Sequence, residues 1–310
     1  MYKSIIYTIK MANKSFISKI LNAMKEWGAM IISIIAFIWT CIQLSQNDNN
    51  EIDICKWLVY GGLALLLISI ISIWNNWPKK KCSAEFSPGR GNTKIKIIIQ
   101  KGSVLKQKGI KVIHVQDTFE TSINKCEKQS LLHAFLSLKH IDKHDLDKSI
   151  EESLKSTGYA SSLIDYPLSY QLIRENMKTS KYDIGTVASY NKDYQLVAFS
   201  NIKDAKGNVE EKDYLQYKDS VNKVFVGLQK AHTGKVINQT YNVGVWGFQY
   251  NGGLYDSRMK IETMVRSFIS ISRRNPFCET LRICVNGKHA ERIDFNKMQV
   301  LLEYIVDTTE

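Results

Sequence analysis

The sequence predicts a two-helix transmembrane hairpin followed by an α/β domain with a central mixed sheet. Three observations predict it: two charge-free apolar stretches before residue 79, strand-like runs after residue 92, and amphipathic helical runs between those strands.

The hairpin rests on Trp27–Leu44 and Trp57–Trp74. Each stretch is about long enough to cross the ~30 Å hydrocarbon core of a bilayer as a helix rising 1.5 Å per residue. Trp57, Tyr60, Trp74 and Trp77 stand where interfacial aromatics would anchor the second helix. Lys3, Lys10, Lys14, Lys19 and Lys25 precede the first stretch and Lys79, Lys80 and Lys81 follow the second, whereas Asp48, Glu51 and Asp53 lie between them. Basic flanks stay inside, so this pattern predicts a two-pass membrane protein with both termini and the soluble domain in the cytoplasm. Residues 5–22 suit an interfacial helix or an ordinary basic tail equally. The expected organisation is a basic juxtamembrane segment over 1–26, the hairpin over 27–78, a linker over 79–92 and a ligand-binding domain over 93–310.

The formal net charge is +12, and most of it falls after Lys81. Such a balance suits an anionic partner, whether nucleotide, nucleic acid or acidic lipid. The six cysteines show no CxxC spacing, which fits a reducing compartment and argues against a zinc site or a disulfide framework. The histidines form no HExxH pattern; His140 and His144, four apart, read as surface residues. No metal is expected.

Within the soluble domain the Pro/Gly turn at 85–92 leads into a strand at 93–100, where Ile95, Ile97 and Ile99 alternate with polar positions. Gly102-Ser103 turns the chain, and IKVIHVQ at 110–116 makes a second strand. Leu131, Leu132, Phe135 and Leu138 give 129–140 an apolar helical face. Residues 141–178 are polar and partly helical, with STGYASSLIDYP as an exposed loop. YDIGTVASYN then leads to the buried strand YQLVAFSNI, and a surface connection ends at a helix over 214–232. A strand over 241–249, a helix from about Arg258 to Ile271, a strand over 280–287 and a helix over 295–305 complete the chain. Strands alternating with helices form an α/β layer structure, and its ligands collect at the carboxyl ends of strands.

Two strand-to-turn segments are candidates for such a pocket. In VIHVQDTFET, Asp117–Thr121 leave a strand end; in VWGFQYNGGLYDS, Gly247, Gly252 and Gly253 make a loop before a helix. Glycine permits positive φ and close backbone approach, and amides at a helix start suit phosphate, although a Gly-Gly turn is also plain turn chemistry. The spacing is neither a P-loop nor a dinucleotide fingerprint. Ser103, Ser130, His114 and Asp117 align as a catalytic set only on paper, because His114 lies inside a strand, where a core role suits it. No GxSxG, paired-carboxylate or metal motif supports an enzyme.

The order of segments resembles a divergent macro domain, an α/β fold associated with ADP-ribose and related nucleotides. The residues that carry the likeness are KIKIIIQ with Lys101-Gly102-Ser103-Val104, GIKVIHVQDTFET, and VGVWGFQYNGG. YDIGTVASYNKDYQLVAFSN together with the apolar N-terminal segments is similar to the macro-like effector of membrane-anchored Thoeris antiphage defence systems. The resemblance implies a two-helix transmembrane hairpin joined to an α/β macro-like domain. It further implies a non-enzymatic effector that binds an ADP-ribose-derived signal made by a TIR-domain enzyme, then assembles as a homo-oligomer to disrupt the bilayer. The alternative is a membrane-tethered hydrolase or transferase acting on ADP-ribose adducts; no nucleic-acid partner is expected. Carried over by motif, Ser103 and Asp117 fall on the base side, Thr118, Phe119, Glu120 and Thr121 on the first ligand loop, and Gly247, Asn251, Gly252 and Gly253 on the phosphate side. This chain has Gly102-Ser103 in place of the family's Gly-Asp turn and Gln116-Asp117-Thr118 in place of an asparagine-rich loop.

Overall fold

The computed structural model describes residues 39, 60–62, 80–88, 94–122, 130–138, 141–163, 178, 180–202, 210, 212–232, 238–247 and 256–309. The chain divides into two compact units, Met1–Trp77 and Pro78–Glu310. The second unit carries the architecture that follows.

The predicted transmembrane hairpin needs correction. Among the described residues, no helix is long and apolar enough to cross a membrane. The stretches 27–44 and 57–74 lie outside the described residues, apart from Trp39 and Tyr60–Gly62, which are helical. The longest described helices, α3 (Tyr214–Ala231) and α4 (Ser257–Arg274), have 18 residues each. Both are crossed by charge, with Lys218, Asp219, Lys223 and Lys230 in one and Arg258, Lys260, Glu262, Arg266, Arg273 and Arg274 in the other. Helices of this kind bury one stripe against a sheet rather than a whole circumference in lipid. The two-pass topology, the membrane localisation, the lipid-bilayer partner and the assembly-driven disruption rested on the hairpin and are withdrawn with it. The juxtamembrane segment 1–26 also lies outside the described residues.

A mixed seven-stranded sheet organises the second unit. Its strands are β1 (Lys81–Phe86), β2 (Ile95–Lys101), β3 (Ile110–Gln116), β6 (Val187–Tyr190), β7 (Tyr194–Ser200), β8 (Thr240–Gly244) and β9 (Thr280–Val285), in the order β1-β2-β9-β8-β3-β7-β6. The five central strands pair in parallel, and β1 and β6 close the edges antiparallel. A separate two-stranded ribbon joins β4 (Ser161–Leu163) to β5 (Ser180–Tyr182).

Side-chain alternation assigns the two faces. Ile95, Ile97 and Ile99 of β2, Tyr241 and Val243 of β8, and Leu281 and Ile283 of β9 point into one core with α3, α4 and α6 (Phe295–Thr308). Trp246, Phe225, Phe268 and Phe277 chain together there, with successive ring centroids 5.0, 5.6 and 5.7 Å apart. Each buried aromatic of this kind contributes about 2–3 kcal/mol of apolar transfer. Ile113 and Val115 of β3 point the other way, into a smaller core under α1 (Leu131–Leu136) and α2 (Lys143–Ser156). β7 is covered on both faces and is buried at every position, which explains its unbroken apolar reading.

Several elements exceed the sequence expectation. The segment 81–86, expected within a linker, is an edge strand whose Cys82 and Phe86 enter the core. The loop expected around STGYASSLIDYP contributes β4. A turn with Asn191 at φ 44° makes a tight antiparallel hairpin of β6 and β7, a conformation asparagine tolerates. The expected strand over 280–287 ends at Val285, and α5 (Gly287–Glu291) follows it. α3 crosses the start of this hairpin at Gly227, where a β-carbon would lie 1.8 Å from the Gly185 carbonyl oxygen.

Candidate functional site

Because β2, β9, β8, β3 and β7 run parallel, their carboxyl ends gather at one edge, beside the strand-order reversal where α/β sheets bind ligands. The first wall starts at Gly102, whose N–H donates to the Val285 carbonyl at 2.9 Å and so ties the ends of β2 and β9. Ser103 follows on a half-buried turn; its carbonyl accepts from Gln107 Nε2 at 3.2 Å, and its side chain makes no capping bond. The single 3-10 turn Val104–Lys106 then packs against β3 and β8.

The second wall is the loop after β3. A bulge at Val115/Gln116 shifts the register against β7, from Val115↔Ala198 to Gln116↔Ser200. Asp117, fully buried, is a strap between elements: its N–H donates to the Ser200 carbonyl at 2.9 Å, and its own carbonyl accepts from Tyr182 N–H at 2.9 Å. Oδ1 accepts from Ile202 N–H at 3.2 Å, and Oδ2 lies 3.4 Å from Lys181 Nζ. Burial raises the Asp117 pKa, with Lys181 opposing the rise. Thr118 is 1% exposed, and its hydroxyl finds no hydrogen-bond partner among the described residues. Phe119 takes φ 53° and packs edge-on against Tyr182 at 5.6 Å. Positive φ is uncommon for an aromatic residue, so packing must hold this turn. Glu120 Oε1 accepts from Ser122 N–H at 2.9 Å, and Thr121 donates to Asp147 Oδ1 at 2.6 Å, where Lys178 Nζ also lies at 2.7 Å.

The third wall follows β8. Gly247 has φ 74°, and a β-carbon there would meet the Tyr217 ring at 3.1 Å. Its carbonyl accepts from Lys260 Nζ at 2.7 Å, a bond buried in α4's first turns. Lys260 is 1% exposed, and burial lowers its pKa. Tyr217 donates to the Trp246 carbonyl at 3.3 Å, and the buried indole N–H of Trp246 finds no partner among the described residues.

Between these walls lies a basic and aromatic group. Lys212 Nζ donates to the Phe199 carbonyl at 2.6 Å and to Ser220 Oγ at 2.7 Å, and sits 5.0 Å from the Phe199 ring centroid. Burial lowers its pKa to about 8, opposed by Glu210 and Asp117. His114 lies edge-on to Phe199, and burial lowers its pKa to about 4, so the imidazole is neutral near pH 7. Burial raises the Cys284 thiol to about 11 and raises Cys278 as well, which keeps both protonated and poorly nucleophilic. Among the described residues, no group of His, Cys, Asp or Glu is arranged to hold a metal ion.

The structure therefore brings Ser103, Asp117–Thr121 and Gly247 to one edge of the sheet, while Asn251, Gly252 and Gly253 lie outside the described residues. The side chains of 117–121 are turned inward, 0–5% exposed, so this loop offers its shape and backbone more than its side chains. Sequence reasoning missed Lys181, Lys212, Lys260 and Trp246. Lys260 carried a usable signal: it is a charge on the apolar stripe that continues through Ile261, Met264, Val265 and Phe268.

Solved structures similar to this chain include the Oceanobacillus iheyensis macrodomain with MES bound, at 10% identity and TM-score 0.45, covering 72% of this chain and 99% of that one. The Oceanobacillus iheyensis macrodomain with ADP is similar at 10% identity and TM-score 0.44, covering 73% and 100%. No curated protein matches. The family described as Thoeris protein ThsA, Macro domain, matches residues 97–286. That match begins after the N-terminal segments, so the likeness to a membrane-anchored effector is corrected to a likeness in the macro domain itself. Since the matched residues make up well over half of the chain, the protein belongs to the Thoeris ThsA macro-domain family.

Proposed function

We propose that this domain is a receptor for an ADP-ribose-derived nucleotide, of the kind that serves as a signal in Thoeris systems, and that it binds this ligand without turning it over. The observation that carries the reading is the convergence of Gly102-Ser103, Asp117–Thr121 and Val245–Gly247 at the carboxyl ends of parallel strands in a macro-domain chain. Ser103 and the 117–121 loop serve the base side, and Gly247 with Asn251, Gly252 and Gly253 serves the phosphates. The +12 balance favours an anionic ligand, and no metal takes part. Burial holds the Cys278 and Cys284 thiols protonated, which argues against nucleophilic catalysis through these two sulfurs.

Calorimetric titration of the full chain with ADP-ribose, ADP, intact NAD and a single-stranded oligonucleotide tests the reading. Saturable binding of ADP-ribose in metal-free buffer, stronger than that of the oligonucleotide, is the expected result. Equal binding of all four would overturn the assignment. Release of a new product, seen by chromatography after incubation with the ligand, would overturn the non-enzymatic part.

A further inference from the structure

The seven-stranded sheet ends at β1, and a side chain of α6 stands where the next strand would pair. Ser83 N–H donates to Gln299 Oε1 at 2.9 Å, and Gln299 Nε2 donates to the Ser83 carbonyl at 2.9 Å. A primary amide carries the donor and acceptor of a peptide group, so Gln299 satisfies Ser83 as a residue of a neighbouring strand does. Nε2 also donates to Glu303 Oε1 at 2.6 Å, and a carboxylate that only accepts fixes which way the amide faces. The N–H of Lys101 donates to the Lys80 carbonyl at 2.9 Å, so the backbone groups of Lys80, Cys82, Ala84 and Phe86 face β2. Those of Lys81, Ser83 and Glu85 face outward. An outward row of this kind is a template for pairing with another chain. The amide that covers its centre comes from 216 residues further along the chain.

We propose that Gln299 is a latch over a self-complementary edge, and that the partner this edge takes when the amide leaves is β1 of a second copy. The charges on the strand select that partner. Cys82 and Phe86 turn into the core, so Lys81, Ser83 and Glu85 share the opposite face, in the order base, neutral, acid. Antiparallel pairing with Ser83 opposite Ser83 sets Lys81 opposite Glu85 of the second copy, and Glu85 opposite Lys81 of that copy. In this register the two serines exchange the same N–H and carbonyl bonds that each now makes with Gln299. A slip by two residues loses the charge match, which pins the pairing. Glu85 also meets Lys96 of its own β2 at 3.0 Å, which holds the acid on that face. Both β1 and α6 lie outside the family match at 97–286, so the latch belongs to this chain's flanks and does not rest on the nucleotide reading.

The test measures mass by light scattering over a concentration series for the full-length wild type, Gln299→Ala, and Gln299→Ala combined with Lys81→Glu. Thermal melts check folding. Gln299→Ala is expected to associate as a dimer at least about tenfold more tightly than the wild type, because pairing no longer breaks two amide bonds in each copy. Lys81→Glu is expected to reverse that gain by placing acid against acid. Ser83→Cys in the Gln299→Ala background locates the contact. Cα atoms lie about 5.5 Å apart across such a pair, within reach of a disulfide, so oxidation is expected to give an 83–83 link by peptide mass spectrometry. Unchanged association in a folded Gln299→Ala would overturn the proposal. So would a dimer without the 83–83 link, which pairs through another surface, or a dimer indifferent to Lys81→Glu. If Gln299→Ala has no cooperative melt, Ser83→Cys with Gln299 intact decides at raised concentration. An 83–83 link trapped there supports the latch, and its absence overturns it.

Discussion

Replacing Asp117 by alanine should loosen the edge of the sheet on which the site is built. The fully buried carboxylate accepts Ile202 N–H at 3.2 Å, and its removal strands that amide in the interior. A buried donor left without its acceptor costs about 1–3 kcal/mol. The Lys181 contact at 3.4 Å adds little, about 0.5 kcal/mol, because Lys181 is 36% exposed. Offsetting both is the relief of a desolvated charge, shown by the raised Asp117 pKa. The net expectation is a loss of about 1–3 kcal/mol for Asp117→Ala. Asp117→Asn keeps an acceptor for Ile202 and should stay within about 1 kcal/mol of wild type. The pH dependence separates these contributions. A carboxyl raised above its ordinary 3.8 stabilises the fold fully below that value, and the contribution is lost as pH rises through the folded pKa. Asp117→Asn should therefore gain on the wild type as pH climbs from 3 towards 7. Urea denaturation across that range, paired with ADP-ribose titration, supplies both readouts. Alanine and wild type unfolding at the same midpoint would refute the strap. A folded, stable asparagine variant that has lost ADP-ribose binding would show that the carboxylate touches ligand directly.

Two further outcomes follow from the packing. Gly227→Ala should destabilise by more than about 3 kcal/mol and lower the melting temperature sharply, since its β-carbon would sit 1.8 Å from the backbone oxygen of Gly185 and neither segment can swing aside. A variant that melts with the wild type would contradict the close crossing of α3 and β6. His114, lowered from 6.5 to about 4, stabilises the fold above pH 6.5 and loses that contribution as pH falls towards 4. Up to about 3 kcal/mol depends on it, less whatever solvent reaching this half-buried residue screens. His114→Phe should show a shallower loss of stability between pH 6.5 and 4, and equal slopes in urea titrations would refute a buried neutral imidazole.

The strands around Ile95–Ile99, Ile110–Gln116 and Tyr194–Ser200 were legible because alternation and apolar runs are local consequences of facing a core. So was the alternation of strands with helices, which already implied an α/β layer and a site at the strand ends. Strand β1 was less legible, since KCSAEF becomes a strand only by pairing with β2. The apolar stretches 27–44 and 57–74 fall outside the described residues except for Trp39 and Tyr60–Gly62. Length and hydropathy satisfied the condition for a membrane span, but among the described residues no helix meets it, and the long helices are amphipathic. The site divides in the same manner. Glycine and turn chemistry marked the loops at 117–121 and 247, because positive φ and strand ends leave local signatures. What each side chain does there was decided only in three dimensions. Asp117 turns inward to Ile202 and Lys181 across 85 and 64 residues of chain, and Lys260 reaches back to the carbonyl of Gly247. Sequence determines which residues can form an element and which face is apolar; the folded sheet alone determines which buried charges meet.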